Sequence, residues 1–583
     1  MFAQNTTEFL KGRVVEESPD GEVPLPGANI YWKDTSVGSS SNADGFYKIE
    51  RNKNSNTLII SYTGYQNDTI EISPKQKKAH VILSSSVSLQ EVEVKSRLKT
   101  TNIGYMNPIK VEKIGEGELH KAACCNLSES FETSPSVDVS FTDAVTGTRQ
   151  IQMLGLAGPY IQITRESMPD IRGLSAIYGF TYTPGFWVES IDLIKGPGSV
   201  INGFESIAGQ INVNLWRPAT MDKFYINLYA NEKGRLEANV NLKTNVGKRW
   251  KTALLLHGKS GQKRHDKNQD GFMDSPIGTN LIGLNRWEYA IDGGHIEVGV
   301  KGTWIDQTGG QMDFNANEHL HSSSIWGMKT KTKRLEMWSK TGRVFADKPY
   351  QSFGLQLSGT YHDQQSSFGL KQYNATQKSF YANYIFQSII SNSNHKYKVG
   401  ASFMYDDYIE SLDLLIVNRL EYVPGVFVEY TYNWNDRLNL VAGLRGDYHN
   451  AYGFFMSPRL NLRYLMTEDL VLRLSGGRGQ RTAQILSENI GMFASSRELI
   501  IQGDGSDKPY GLDAEVAWNA GINLTWDFEL DYRDGALSFD FYHTRFQNQI
   551  VVDLDSDVRK IMFYNLDGES FSNSFQAQVD YEL

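Results

Sequence analysis

From about Phe224 to Leu583 the chain repeats one pattern, runs of about ten residues in which apolar and polar side chains alternate. Ala238, Val240 and Leu242 alternate with Asn239, Asn241 and Lys243, and Leu438, Leu440, Ala442 and Leu444 with Asn439, Gly443 and Arg445. Leu537, Phe539 and Phe541 alternate with Ser538, Asp540 and Tyr542, and Phe575, Ala577, Val579, Tyr581 and Leu583 with Gln576, Gln578, Asp580 and Glu582. A period of two means strand, with its two faces in different surroundings. Soluble sandwiches use shorter strands, about 5–6 residues. Strands this long suit an antiparallel transmembrane barrel, with lipid outside and water or a polar plug inside.

Composition agrees. The chain has 583 residues, too many for one core, so several domains are expected. Hydrophobic residues make up 40%, and no apolar run nears the roughly 18 residues of a membrane helix; Leu414 to Val417 is typical of the longest. A chain of this hydropathy crosses a membrane only as a closed barrel. Aromatic residues reach 12%, with 30 Tyr and 11 Trp, which suits the girdles at the two lipid–water interfaces. The formal charge of −9 argues against a nucleic-acid binder. The two cysteines are adjacent, so no disulfide framework exists. The start, Met-Phe-Ala-Gln before Asn-Thr-Thr, reads as the tail of a secretory signal; an ordinary start is the alternative.

Residues 1–88 form the first unit, with about seven short strands expected and a hairpin turn at Asp44-Gly45, hence a small β-sandwich. "LKGRVVE…PLPGANIYWKDTSVGSSSNADGFYKIE…LIISYTGYQ" resembles the carboxypeptidase-regulatory-like domain at the N-terminus of many Bacteroidetes outer-membrane receptors. Residues 89–94, Leu89-Gln90-Glu91-Val92-Glu93-Val94, follow directly. Alone they read as one more short strand. In this position they resemble the TonB box, an extended segment that adds as an edge strand to the periplasmic TonB protein, where main-chain hydrogen bonds give affinity and alternating side chains give register.

Residues 95–218 form the third unit. "CCNLSESFETSPSVDVSF", "RQIQMLGLAGPYIQITRESMPDI" and "WVESIDLIKGPGSVINGFESIAGQINVNLWRP" resemble the plug domain of TonB-dependent receptors, expected to be α+β. Lys195-Gly196-Pro197, Gly203 and Ala208-Gly209 stand in the family's order, and small residues there let the chain turn tightly. A phosphate-binding loop is ruled out, since no Gly-Lys-Ser/Thr follows and no helix pattern opens. Residues 219–583 then carry about sixteen strand-like segments by the alternation test. "GLRGDYH", "SPRLNLRY", "LRLSGGRGQRT" and "FYHTRFQNQIV" match receptor landmarks, so the resemblance covers nearly the whole chain. It implies a barrel of 22 strands ending on an aromatic residue. This sequence stops inside an alternating run, so about six strands are expected to be missing from it, an unpaired half-apolar edge being untenable in lipid.

Three groups offer metal chemistry. Asp266, Asn268, Asp270 and Asp274, with Gly271 at the sixth position, follow calcium-loop spacing, although Ile277 replaces the bidentate Glu. The alternative is a solvated acidic loop. His319 and His321 form a His-x-His pair in another polar loop, able to hold zinc or copper or simply to lie exposed. Cys124 and Cys125 admit three states: buried thiols, a strained vicinal disulfide, or a soft-metal site. None of the 11 histidines opens His-x-x-Glu, and no Gly-x-Ser-x-Gly occurs, so no peptidase chemistry is expected.

The resemblance implies a receptor, not an enzyme, that sits in the outer membrane with a periplasmic N-terminal domain. It implies TonB and membrane lipid as partners and no required cofactor. The expected activity is TonB-driven import of a scarce solute, a metal chelate, siderophore or small cofactor being favoured. The rivals are a barrel-anchored surface-binding protein without transport and a secreted metallo-carboxypeptidase with an accessory sandwich.

Overall fold

The computed structural model describes residues 8–18, 21–62, 65, 67–83, 101–103, 111–115, 118–119, 126–132, 134–142, 146–435 and 437–581. The expected TonB-binding segment, Leu89 to Val94, and the Cys124–Cys125 pair lie outside these residues.

The alternating half folds into one antiparallel sheet of sixteen strands, each beside its neighbour in sequence, from Phe224–Ala230 to Ser570–Tyr581. The number is the one the alternation gives, six below the 22 of the family resemblance. Those two strands are the edges of the sheet among the described residues. Burial runs opposite to that of a soluble core. Phe539 and Phe541 are 39% and 43% exposed, while Ser538 and Asp540 on the other face are 1% and 4% exposed. Leu236 and Leu242 face outward and Glu237, Asn239 and Asn241 inward. An apolar outer face and a polar lumen are what lipid and a filled interior require.

The connections sort onto two rims. Loops 262–276, 311–326, 482–514 and 549–569 open at one rim, whereas the other carries short turns such as 292–293, 346–347, 391 and 531–532. Loops 482–514 and 549–569 are joined by a small sheet in which Lys560–Asn565 pairs with Glu498–Ile501 and Ile550–Asp553.

Inside the barrel lies the plug. Its six-stranded sheet runs in the order Met168–Pro169, Ile161–Arg165, Gly209–Leu215, Val188–Lys195, Val111–Ile114, Thr101–Ile103. Trp187, Ile191, Ile211 and Val213 share one core with Leu255, Leu284 and Trp338 of the barrel wall. Among the described residues the plug is mostly strand, with short 3-10 turns such as Tyr178–Tyr182 and Val200–Asn202. Gly173, Gly179, Pro184 and Gly185 punctuate the segment that carries most of these turns and disfavour a longer helix there.

The N-terminal unit is a sandwich of two four-stranded sheets closed over Leu10, Ile30, Trp32, Tyr47, Leu58 and Ile60. Its described residues hold eight strands, close to the seven or so expected, and include the short edge pieces Val23–Pro24 and Gly38–Ser40. The sandwich sits against the short-turn rim. Ala43 N donates to Asp292 Oδ1 (3.1 Å), Asp34 N to Ser393 Oγ (3.2 Å) and Lys396 Nζ to Tyr31 Oη (2.9 Å).

Candidate functional site

The plug strand Val188–Lys195 ends at the lumen wall, and its last side chain is an ammonium. Lys195 is buried, with Nζ 3.0 Å from Asp540 Oδ2, 2.6 Å from Gln576 Oε1 and 3.4 Å from Glu112 Oε1. One lysine thus ties two plug strands to two barrel strands. Gly196 follows at φ +75°, and a Cβ there would meet the Tyr542 ring at 3.0 Å, so the turn favours glycine on both counts. Gly196 N donates to Ala208 O (2.9 Å), which closes the loop from Pro197 to Gly203 onto Ala208–Gly209. The loop thus brings Lys195, Gly196 and Pro197 beside Ala208 and Gly209.

That loop rests on the barrel wall through its backbone. Arg459 Nη1 donates to Gly198 O (3.2 Å) and Ser199 O (2.7 Å), and Arg445 Nη1 to Val200 O (3.3 Å). The Ser199 hydroxyl donates to Glu429 Oε2 (2.5 Å). Further ionic anchors surround it. Arg172 pairs with Asp406 at 2.6 Å and with Glu205 at 3.1 Å, Arg165 with Glu336 at 3.2 Å, and Arg286 with Glu166 at 2.8 Å. Buried pairs add little net stability against apolar replacements of equal volume, yet losing one partner leaves an uncompensated charge. Charge anchors therefore fix the plug's position more than they strengthen the fold. On the rim side, Arg217 reaches Glu16 (2.9 Å) and Tyr65 Oη (2.6 Å) of the sandwich and lies 4.0 Å from Glu189 of the plug. Burial pushes the Glu189 carboxyl up, against the pull of Arg217.

At the long-loop rim, loop 482–514 folds down onto the plug apex. Ser487 Oγ donates to Gly173 O (3.3 Å), and Leu174, Tyr178, Ile490, Phe493 and Phe563 share one cluster. Tyr510 adopts φ +57°, rare for a bulky residue, and its hydroxyl donates to Glu410 Oε1 (2.6 Å). The Arg419 guanidinium lies over the rings of Tyr408 (4.0 Å) and Tyr510 (4.8 Å). Tyr408, Glu410 and Arg419 are buried, so these contacts form a closed aromatic and ionic joint between loop 482–514 and the barrel wall.

The expected metal residues have local partners. In loop 262–276, Asp266 accepts from Asp270 N (3.2 Å) and Gly271 N (2.9 Å), Asp270 from Phe272 N (2.8 Å) and Asp274 from Lys267 N (3.2 Å). Asn268 Nδ2 donates to Asp270 Oδ2 (2.8 Å). His319 Nδ1 accepts from Asn315 N (3.0 Å), while His321 faces Gln372 Nε2 (3.1 Å), so the two imidazoles serve different neighbours. Among the described residues no three His, Cys, Asp or Glu side chains converge in a metal-holding group.

Sequence reasoning passed over Arg172, Arg445 and Arg459. A signal was present for the latter two. Both occupy inward-facing positions of alternating strands, where a buried charge needs a reason to be there.

Residues 209–582 match the family described as TonB dependent receptor-like, beta-barrel. Residues 105–210 match the TonB-dependent Receptor Plug Domain and residues 10–94 the CarboxypepD_reg-like domain. Solved structures share the fold. A chain of the FpvAI–pyocin S2 complex is 11% identical with a TM-score of 0.64, over 98% of this chain and 80% of that one. The siderophore receptor PirA from Acinetobacter baumannii is 13% identical with a TM-score of 0.60, over 80% and 77% of the two chains. PirA from Pseudomonas aeruginosa is 14% identical with a TM-score of 0.57, over 81% of each.

Proposed function

The chain belongs to the TonB-dependent receptors, and on that premise we propose that it imports a scarce metal chelate or small cofactor across the outer membrane. The family is one of outer-membrane receptors rather than enzymes. In this reading the long-loop rim faces outward, the sandwich lies in the periplasm, and TonB pulls on residues 89–94. Solute docks at the long-loop rim and passes when the plug rearranges.

The observation that carries the reading is the Lys195–Asp540 contact with its companions. A plug filling a barrel blocks passage, and a plug held at discrete ionic anchors can be released at discrete points. The solved neighbours named as siderophore receptors favour a ferric chelate among the candidates. The test is uptake by whole cells of a panel of labelled metal complexes, in wild-type, receptor-deletion and TonB-deletion strains. Uptake that needs both proteins supports import. Surface binding without accumulation in any strain would replace import with simple capture.

A further inference from the structure

Loops 482–514 and 549–569 are rooted at one point of the long-loop rim. The first leaves the wall after Arg481 and returns at Glu515, and those two residues face each other in register. Both are buried. The Arg481 guanidinium donates through Nη1 to Glu515 and through Nη2 to Glu488 of the first loop. The second loop begins at Gln549 and Ile550, and Ile550 N donates to Glu515 Oε1 (3.1 Å). A single ion pair of the wall therefore holds the base of both loops, which also share the small sheet above it.

One plug side chain enters this node. Tyr160 Oη donates to Glu515 Oε1 (2.7 Å) and accepts from Gln549 Nε2 (3.1 Å), and the Arg481 guanidinium lies 5.3 Å from its ring centre. A hydrogen bond to a carboxylate is stronger than one between neutral groups, and bonds that share one acceptor respond to each other. The backbone of the same residue leads inward. Tyr160 O accepts from Ile207 N (3.2 Å) and Ala208 N (2.9 Å), and Ala208 O accepts from Gly196 N (2.9 Å). Gly196 follows Lys195, whose ammonium meets Asp540 of the wall and Glu112 of strand Val111–Ile114. Contacts thus run without a break from the carboxylate of Glu488 in an outer loop to the ammonium that moors the plug.

We propose that Tyr160 is the positioning residue through which the two outer loops steady the plug's mooring at Lys195. Its hydroxyl reads the loops and its carbonyl holds Ala208 against Gly196. Movement of either loop redistributes the donors around Glu515, shifts the phenol and loosens the turn that presents Lys195. Spatial continuity alone does not establish coupling, so the claim is one of energy: the loops and the mooring influence each other by way of this hydroxyl. The claim goes beyond the import reading and does not depend on it.

The test is hydrogen exchange of strand 188–195, followed by mass spectrometry on the full-length receptor in lipid. The variants are Tyr160→Phe, which keeps the ring and removes the hydroxyl, Glu488→Gln in the first loop, and the two together. Tyr160→Phe should quicken the strand's exchange at least about fivefold. Glu488→Gln should quicken it in the parent and add nothing once the hydroxyl is gone, because coupled residues are not additive. Gln549→Ala detaches the second loop without touching Arg481 or Glu515, and it should behave as Glu488→Gln does. Unchanged exchange in the barrel strands shows that each variant is folded. Loop variants that leave strand 188–195 untouched, or effects that multiply independently in the double variant, overturn the coupling. No solute is added, so the result stands apart from the uptake experiment that tests import.

Discussion

Lys195 Nζ lies 3.0 Å from Asp540 Oδ2, joining the end of a plug strand to a barrel strand 345 residues further along the chain. Both groups are buried, so each is tolerated because of the other. Asp540→Asn should therefore loosen the plug, at about 3–5 kcal/mol for the stranded ammonium. Glu112 moderates the loss, being 3.4 Å from the same nitrogen. Hydrogen exchange of strand 188–195 should quicken in the variant while the barrel's heat resistance stays unchanged. Equal exchange in both proteins would show that the pair does not hold the plug.

Energy coupling should depend on residues 89–94. Val92→Pro removes a main-chain donor and blocks strand addition. Accumulation of solute should cease while surface binding persists. Full accumulation by the Val92→Pro receptor would move TonB docking elsewhere in the chain.

Lipid contact should follow the parity of strand Arg533–Asn548. A cysteine at Phe539 should react with a membrane-soluble maleimide, and one at Ser538 should not, given their opposite burial. Phe539→Arg should cost about 2–4 kcal/mol if the site is near the bilayer midplane. Labelling of Ser538→Cys alone would shift the register by one residue.

Arg217 should govern how the sandwich sits. It binds Glu16 and Tyr65, and Tyr65 in turn donates to Glu16, while the other face of its guanidinium meets Glu189. Arg217→Ala leaves Glu16 buried without its cation, a loss of about 1.5–3 kcal/mol for charged hydrogen bonds. Limited proteolysis should then release the sandwich faster than from the parent. Identical cleavage rates would mean that the contacts at Asp292 and Ser393 suffice to hold it.

The alternation of residues such as Leu537 to Tyr542 gave away the strands, their number and their outward faces, because a period of two is a local property. Partners across the lumen were not readable. Nothing near Lys195 in sequence points to Asp540, and the apposition of Arg463 and Arg473 appears only once turn 466–469 sets the register. The plug motif was legible by resemblance, yet its contacts with Arg459 run through the backbone carbonyls of Gly198 and Ser199, which no residue type announces. The docking of the sandwich on Asp292 and Ser393 was hidden for the same reason: it joins segments hundreds of residues apart.

Thr101–Ile103 is one of the two edge strands of the plug sheet, and it is the part of that sheet nearest in sequence to residues 89–94. Three paired positions join it to Val111–Ile114, four join that strand to Val188–Lys195, and seven join the latter to Gly209–Leu215. Tension arriving from the N-terminal side meets the weakest ladder first and the strongest last. Under the proposed pull by TonB its margin would part first, and greater work would be needed to reach the strand that Lys195 moors to the wall.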